Sequence, residues 1–129
     1  MLLVIDTNII INALLSHSDD SKSMQLLDDI FNKTHRICVS SEIMDEYREV
    51  MSRPKFRIPK ETIEELMQWI DENSIHIEPR PSDQNTVEMR HEDDRKFFDV
   101  AKCMGAKLVI RNYKHYPVHE LVTLIDELY

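Results

Sequence analysis

Residues 2–8 read LLVIDTN, and this stretch decides the fold. Four apolar residues in a row, with no polar alternation, are typical of a strand that is buried on both faces of a parallel sheet. The run stops at Asp6, and the apolar residues that resume at 9–15 predict a helix. The chain therefore opens with a strand that leads through an acidic turn into a helix.

Short apolar runs and amphipathic segments alternate from there to the end of the chain. Further strands are predicted at residues 37–39, 75–77, 107–110 and 121–123. Helices are predicted at residues 24–31 and 42–51, from Pro59 through Ile70, at 94–104 before Gly105, and as a last turn at 124–129. Strands that alternate with helices give an α/β fold with a mainly parallel sheet. The length of 129 residues fits one domain, 1–129.

The composition narrows the classes of function. Gly105 is the only glycine, which excludes a glycine-rich phosphate loop, because such loops need more than one. The 24 acidic residues outnumber the 16 basic ones, and the net charge of −8 argues against simple electrostatic capture of nucleic acid. The isolated Cys38 and Cys103 fit reduced thiols better than a zinc site or a disulfide. The N-terminus has neither a basic leader nor a long apolar run, so we expect a cytoplasmic protein that has no membrane contact.

Polar side chains from four segments remote in sequence are predicted to meet at one edge of the sheet. Asp6 follows the first strand directly, and Asn112 follows the fourth strand by two residues. Asp93 and Asp94 begin a helix, and Glu46 lies about one turn into another. The carboxyl ends of parallel strands are where functional groups gather in such sheets. Taken one at a time, Asp93 and Asp94 also suit the first turn of a helix, and Glu46 also suits a solvated helix face.

The convergence of these acids is what indicates chemistry. Two carboxylates about 4 Å apart repel each other by roughly 4 kcal/mol at an effective dielectric constant near 20. A hard divalent cation is the natural compensation, and oxygen ligands suit Mg²⁺ or Mn²⁺. Such an ion can bind a phosphodiester and acidify the water that attacks it. The pattern therefore predicts a metal-dependent phosphodiesterase.

The order and spacing of these motifs resemble those of the PIN domain family, in particular its prokaryotic toxin–antitoxin type (VapC-like). The resemblance covers nearly the whole chain and rests on Asp6-Thr7-Asn8 after the apolar run, Val39-Ser40-Ser41 with Glu46 downstream, residues 93–98 with Ala101, residues 108–112 and residues 115–117. It implies a Rossmann-like, three-layer α/β domain with about five parallel strands. It also implies a Mg²⁺- or Mn²⁺-dependent endoribonuclease that cleaves RNA, with a cognate antitoxin and a second copy of the chain as partners.

By position, the resemblance assigns metal binding and catalysis to Asp6, Glu46 and Asp94, with Asp93 as a lesser candidate. Two further residues match those that help to order the site in the family: Thr7 and Asn8.

The family's site has a fourth position, here called the fourth corner, and at this position the chain departs from the family pattern. The family usually has an acid there, or an Asn followed three residues later by an acid, whereas this chain has Asn112 and His115. Ile110 replaces the usual Thr or Ser. Arg111 and Lys114 lie beside this corner and are candidates for contacting RNA phosphates, with a solvated charged face as the alternative.

Three other classes of protein remain as alternatives. A haloacid dehalogenase-type phosphatase also has an Asp after the first strand, but it needs a second acid two residues later, where this chain has Asn8. A response-regulator receiver needs an acidic pair after the first strand and an Asp at the end of the third strand. This chain has one acid, Asp6, at the first place and Glu78 at the second. The third alternative, motivated by Ile110, Asn112 and His115, is a PIN-like module that binds RNA or protein without turnover.

Overall fold

Five parallel strands form one sheet in the computed structural model, which describes residues 1–16, 21–80, 89, 91–114 and 116–129. The strands are β1 (Leu2–Ile5), β2 (Arg36–Val39), β3 (Ile75–His76), β4 (Lys107–Ile110) and β5 (Val122–Leu124). Their order across the sheet is β3-β2-β1-β4-β5, and every neighbouring pair is parallel. This is the predicted five-stranded parallel sheet.

Helices flank the sheet and connect its strands. They are α1 (Thr7–Leu15), α2 (Lys22–Phe31), α3 (Ser41–Met51), α4 (Lys60–Asn73), α5 (Arg95–Met104) and α6 (Ile125–Leu128). Short 3₁₀ turns at Pro54–Phe56 and Glu92–Asp94 precede α4 and α5. The predicted α/β class is therefore confirmed. No helix within the described ranges is both long enough and apolar enough to cross a membrane.

The first strand lies at the centre of the sheet because its side chains are apolar on both faces. Leu3, Val4 and Ile5 are each at most 1% exposed. Hydrogen bonds to β2 on one side and β4 on the other fix the strand in register. The residue that follows β1, Asp6, therefore emerges between the ends of two neighbouring strands, and its backbone N–H donates to the carbonyl of Val109 at 3.1 Å.

Side chains at the strand ends determine where the helices begin and end. The Asp6 carboxylate accepts from the N–H of Asn8 at 3.2 Å, so α1 begins at Thr7 rather than at residue 9 as predicted. Ser40 caps α3 in the same way, through the N–H of Ile43. Gly105 ends α5 with φ of 63°, the left-handed geometry that a helix C-terminus favours.

Two predicted element boundaries need correction. Helix α5 begins at Arg95, because Glu92–Asp94 form a 3₁₀ turn, and the side chain of Asp94 makes no capping hydrogen bond. Asp93 and Asp94 thus lie in the turn at the start of this helix, where acids favour the helix dipole. The last strand covers Val122–Leu124, one residue later than predicted, since Leu108 to Ile110 of β4 pair with these three residues.

Candidate active site

Asp6 is held at the carboxyl edge of the sheet by the backbone on both of its sides. Its own N–H bonds to β4, and its carboxylate accepts from the N–H of Asn8 in the first turn of α1. The residue is only 8% exposed. Burying a carboxylate to this extent requires such compensating donors, and the positive end of the α1 dipole adds to them.

Glu46 lies on α3, and both of its carboxylate oxygens have partners from other elements. Oε2 accepts from the Thr7 hydroxyl on α1 at 2.5 Å, and Oε1 accepts from Lys96 Nζ on α5 at 2.9 Å. Thr7 is 3% exposed, so its hydroxyl is not shared with bulk water. Thr7, the residue after Asp6, therefore fixes the orientation of the Glu46 carboxylate.

Two fully buried tyrosines lie under the acids, with different hydrogen bonding. The Tyr47 hydroxyl donates to the carbonyl of Ile5, the last residue of β1, at 2.6 Å. The Tyr116 hydroxyl is also buried and has no hydrogen-bond partner among the residues that the structure describes. One hydroxyl therefore supports the sheet edge, while the other is buried without a described partner.

The electrostatics of the two tyrosines show which acids share this edge. Burial raises the pKa of Tyr116, and the charges of Asp6, Asp94 and Glu46 raise it further. Burial likewise raises the pKa of Tyr47, with smaller contributions from Asp6 and Glu46. All three predicted metal-binding acids thus act on one buried hydroxyl. The Tyr116 side chain stays protonated and remains a hydrogen-bond donor.

Lys96 is the cation nearest to these acids that the hydrogen bonds identify. Burial lowers its pKa, but the hydrogen bond to Glu46 and the charges of Glu46, Asp93 and Glu42 outweigh this, so the pKa of Lys96 is raised. Lys96 therefore remains an ammonium. Asp93 contributes to this acidic surrounding but is exposed, consistent with its place as the lesser candidate.

The residues predicted around the fourth corner lie mostly at the surface. Asn112 is exposed, and its Oδ1 accepts from the N–H of Lys114 at 3.0 Å, which closes a turn after β4. Arg111 and Lys114 are exposed, whereas Ile110 is fully buried in β4. His115 lies outside the described residues. On the other side of the site Asn8 is exposed and contributes its N–H rather than its side chain.

The arrangement fits a hard cation in donor type. In the part of the chain that is described, no three His, Cys, Asp or Glu side chains lie together closely enough to hold a metal ion. The predicted acids nevertheless offer only oxygen atoms, the donor set that Mg²⁺ and Mn²⁺ prefer. The ammonium of Lys96 supplies positive charge to this group.

A polar cleft of about 340 Å³ adjoins the acids. Asp93 and Lys96 lie in its wall and also in the wall of a neighbouring depression that includes Glu46. The side chains that line the cleft are mostly acidic, and its two basic residues, Arg95 and Lys96, are paired with Glu92 and Glu46.

Comparison with known proteins identifies the family. A family model described as "PIN domain" matches residues 2–114. The chain belongs to the PIN domain family. The matched range contains β1 to β4 and all of the acids discussed above, so the phosphatase and receiver alternatives are set aside. No curated protein shows significant sequence similarity to the chain.

Solved structures confirm the PIN domain fold over almost the full length. The structure of VapBC2 from Rickettsia felis, bound to a DNA fragment from its promoter, has a TM-score of 0.63 and 19% identity, covering 96% of this chain and 97% of that one. FitAB bound to an IR36 DNA fragment gives a TM-score of 0.62 and 15% identity, covering 97% of this chain and 95% of that one. At these identities the likeness concerns the fold.

Three residues of this PIN domain site were not singled out from the sequence: Tyr47, Lys96 and Tyr116. Lys96 and Tyr116 lie within the stretches 93–98 and 115–117 on which the family resemblance rests, but the sequence alone gave them no role, and Tyr47 has no pattern of its own. Tyr47 follows Glu46, Lys96 comes two residues after Asp94, and Tyr116 follows His115.

Proposed function

We propose that this PIN domain is an endoribonuclease that depends on a divalent metal ion. The observation that carries the proposal is that two of the predicted acids are held at the same edge of the sheet: Asp6 as the cap of α1, and Glu46 by the hydroxyl of Thr7, the residue after Asp6. Membership of the family supports it, because PIN domains are in general nucleases. The chemistry of the donors, all of them oxygens, supports Mg²⁺ or Mn²⁺ as the cofactor.

Asp6, Glu46 and Asp94 would hold the ion. When bound, a divalent ion supplies positive charge to a phosphodiester and makes a nearby water more acidic. The chain's own residues do the positioning. Asp6 is fixed as the cap of α1, and Glu46 is oriented by Thr7. The protonated, buried Tyr116 offers a hydrogen bond to an oxygen atom of the substrate or of the attacking water.

The nuclease proposal is tested with purified protein, a labelled single-stranded RNA and Mn²⁺. We expect cleavage that EDTA stops, and loss of at least about 100-fold in rate for Asp6→Asn, since a proposed ligand becomes neutral. The matched control is Asp28→Asn, which makes the same change at an exposed position on α2. Cleavage that survives in Asp6→Asn at the wild-type rate would indicate a contaminating nuclease and would refute this site.

A second candidate function is a PIN domain that binds RNA or protein without turnover. It is favoured by Asn112, a neutral and exposed residue at the corner where the family usually has an acid. Isothermal titration calorimetry separates the two functions. Binding of Mn²⁺ that is lost in Asp6→Asn supports the enzyme, whereas RNA binding without Mn²⁺ binding or cleavage supports the binding module.

We further propose that the protein is the toxin of a toxin–antitoxin pair. The structural neighbours are toxin components seen in their VapBC2 and FitAB complexes, which supports an antitoxin as partner. Co-expression with the product of an adjacent small gene should then suppress the RNA cleavage and yield a stable complex. Growth arrest on expression that Asp6→Asn does not relieve would contradict a toxin that acts through this site.

An apolar groove between α1, α2 and α4 offers a surface for such a partner. It has a volume of about 490 Å³, and its apolar wall is formed by Ala13, Leu14, Met24, Leu27, Leu66 and Trp69, with Phe31 at its margin. Phe31 is 43% exposed and packs edge-on against Trp69, with 4.6 Å between the ring centroids. We propose that the antitoxin covers this groove. The alternative occupant of the groove is a second copy of the chain. Light scattering of Phe31→Ser tests it, because a homodimer formed through the groove would dissociate in this variant.

A further inference from the structure

The ion pair between Lys96 and Glu46 links α3, which carries one proposed metal ligand, to α5, which begins directly after another, Asp94. Lys96 Nζ lies 2.9 Å from Glu46 Oε1, and the two side chains are only 20% and 19% exposed. Lys96 is on the first turn of α5, two residues after Asp94, and Glu46 is on α3. Ion pairs sheltered from solvent in this way interact more strongly than pairs on the surface.

The second oxygen of Glu46 is also engaged, by the hydroxyl of Thr7. Both oxygens of this carboxylate therefore have partners from the chain itself. A divalent cation that bound Glu46 would need one of these oxygens and would come close to the Lys96 ammonium, which has the same sign of charge. Metal and ammonium cannot both be held closely by one monocarboxylate without strong repulsion.

The other charges that face Lys96 are acidic as well. Asp93 lies just before α5 and Glu42 lies on the first turn of α3, and both act on the ammonium. Lys96 thus neutralises part of a group of carboxylates that would otherwise repel one another. In the described part of the chain this ion pair is formed while no three acids are gathered at ligating distance.

We propose that Lys96 is a positioning residue, a built-in counter-cation that holds Glu46 in the metal-free protein and competes with the divalent ion for that carboxylate. The inference rests on the proposed metal-dependent function, because it concerns the same site. If so, the affinity for the metal ion depends on the free energy of displacing Lys96 from Glu46 as well as on the acids themselves.

The test is calorimetric titration of the metal-free protein with Mn²⁺ alone. Lys96→Met keeps the length of the side chain and removes its charge, so we expect Mn²⁺ to bind about ten-fold more tightly. Lys96→Arg retains the cation and should bind Mn²⁺ within about two-fold of wild type. The matched control is Lys102→Met, the same change at an exposed position of α5, which should leave the affinity unchanged.

A double-mutant cycle with Glu46→Gln shows whether the effect passes through the proposed pair. The increase in Mn²⁺ affinity that Lys96→Met causes should be markedly smaller when Glu46 has already been replaced by Gln. Thermal unfolding provides a second measurement: in EDTA, Lys96→Met should melt below wild type, and saturating Mn²⁺ should raise its melting temperature more than that of wild type. Circular dichroism in EDTA confirms that each variant is folded.

The outcomes also separate this inference from the proposed function. If wild type binds Mn²⁺ and cleaves RNA but Lys96→Met binds Mn²⁺ no more tightly, the role of Lys96 is refuted and the nuclease stands. If only Lys96→Met binds Mn²⁺, competition by the lysine is supported and the wild-type nuclease is refuted. If neither protein binds Mn²⁺, both proposals are overturned.

Discussion

The two buried tyrosines of the site provide a sharp prediction, because the same substitution should have different effects at positions close together. The Tyr47 hydroxyl donates to the carbonyl of Ile5 at 2.6 Å, whereas the Tyr116 hydroxyl has no partner among the described residues. Both side chains are 0% exposed. Replacement by Phe removes one oxygen atom in each case and leaves the ring and its packing in place.

The expected magnitudes follow from the hydrogen bonds. Tyr47→Phe deprives a buried carbonyl of a donor and should lower the free energy of unfolding by about 1–3 kcal/mol. Tyr116→Phe removes a buried polar group that has no partner, so its free energy of unfolding should change by less than about 0.5 kcal/mol or increase. For a chain of this length, about 4 °C of melting temperature corresponds to 1 kcal/mol. Tyr47→Phe should therefore melt about 4–12 °C below wild type.

The assay is thermal and urea unfolding of both variants in EDTA, with wild type measured alongside. A loss in Tyr116→Phe as large as that in Tyr47→Phe would refute the reasoning, since it would show that the Tyr116 hydroxyl already has a strong partner in the free protein. If the reasoning holds, Tyr116→Phe should be folded at full stability and yet bind or cleave RNA more weakly.

Further predictions concern the helix ends, the pH dependence of stability and the approach of RNA. Gly105→Ala should lower the free energy of unfolding by about 1 kcal/mol, because its φ of 63° is strained for a residue with a Cβ even though that Cβ would meet no atom within 4 Å. Lys33→Gly should raise the free energy of unfolding by about 0.5–1 kcal/mol, because Lys33 has a φ of 62°. Urea unfolding measures both. Hydrogen bonds from the hydroxyl and then the N–H of Ser41 lower the pKa of Glu78 below its ordinary value near 4.5. The Glu78 carboxylate therefore stabilises the fold at pH values above its ordinary pKa, and this contribution is lost as the pH falls through its lower pKa in the folded protein. The melting temperatures of wild type and Glu78→Gln should then differ at pH 7 and converge near pH 3. A difference that stays constant with pH would contradict this. Arg111→Glu should weaken RNA binding and flatten its salt dependence, whereas Lys33→Glu, placed before β2, should not; an unchanged slope for Arg111→Glu would exclude its contact with phosphate.

Much of the fold could be predicted because its signals are local. Four consecutive apolar residues before Asp6 are enough to indicate a strand with both faces buried, and the lone glycine after an amphipathic segment is enough to indicate a helix end. The errors in the boundaries are small and have local causes. Asp6 caps α1 and brings its start forward to Thr7, and a 3₁₀ turn takes up the first residues assigned to α5.

The candidate site could be predicted only in part. The acids that follow strands could be placed at one edge, because parallel strands end at the same edge of the sheet. The hydrogen-bond partners of those acids could not be predicted, since Glu46 is 39 residues from Thr7 and 50 residues from Lys96 along the chain. Nothing in the pattern of one helix specifies which residue of another helix will meet it.

The sequence by itself determined the alternation of strands and helices, the burial of β1 on both faces and the set of acids expected at the sheet edge, because hydrophobic periodicity and capping act over a few residues. Only the tertiary structure decided that α3 and α5 pack side by side, so that Lys96 reaches Glu46, and that the hydroxyl of Tyr116 is buried without a partner among the described residues. Packing brings distant charges into a shared low-dielectric environment, and there their mutual interactions, rather than their own identities, determine what the site can bind.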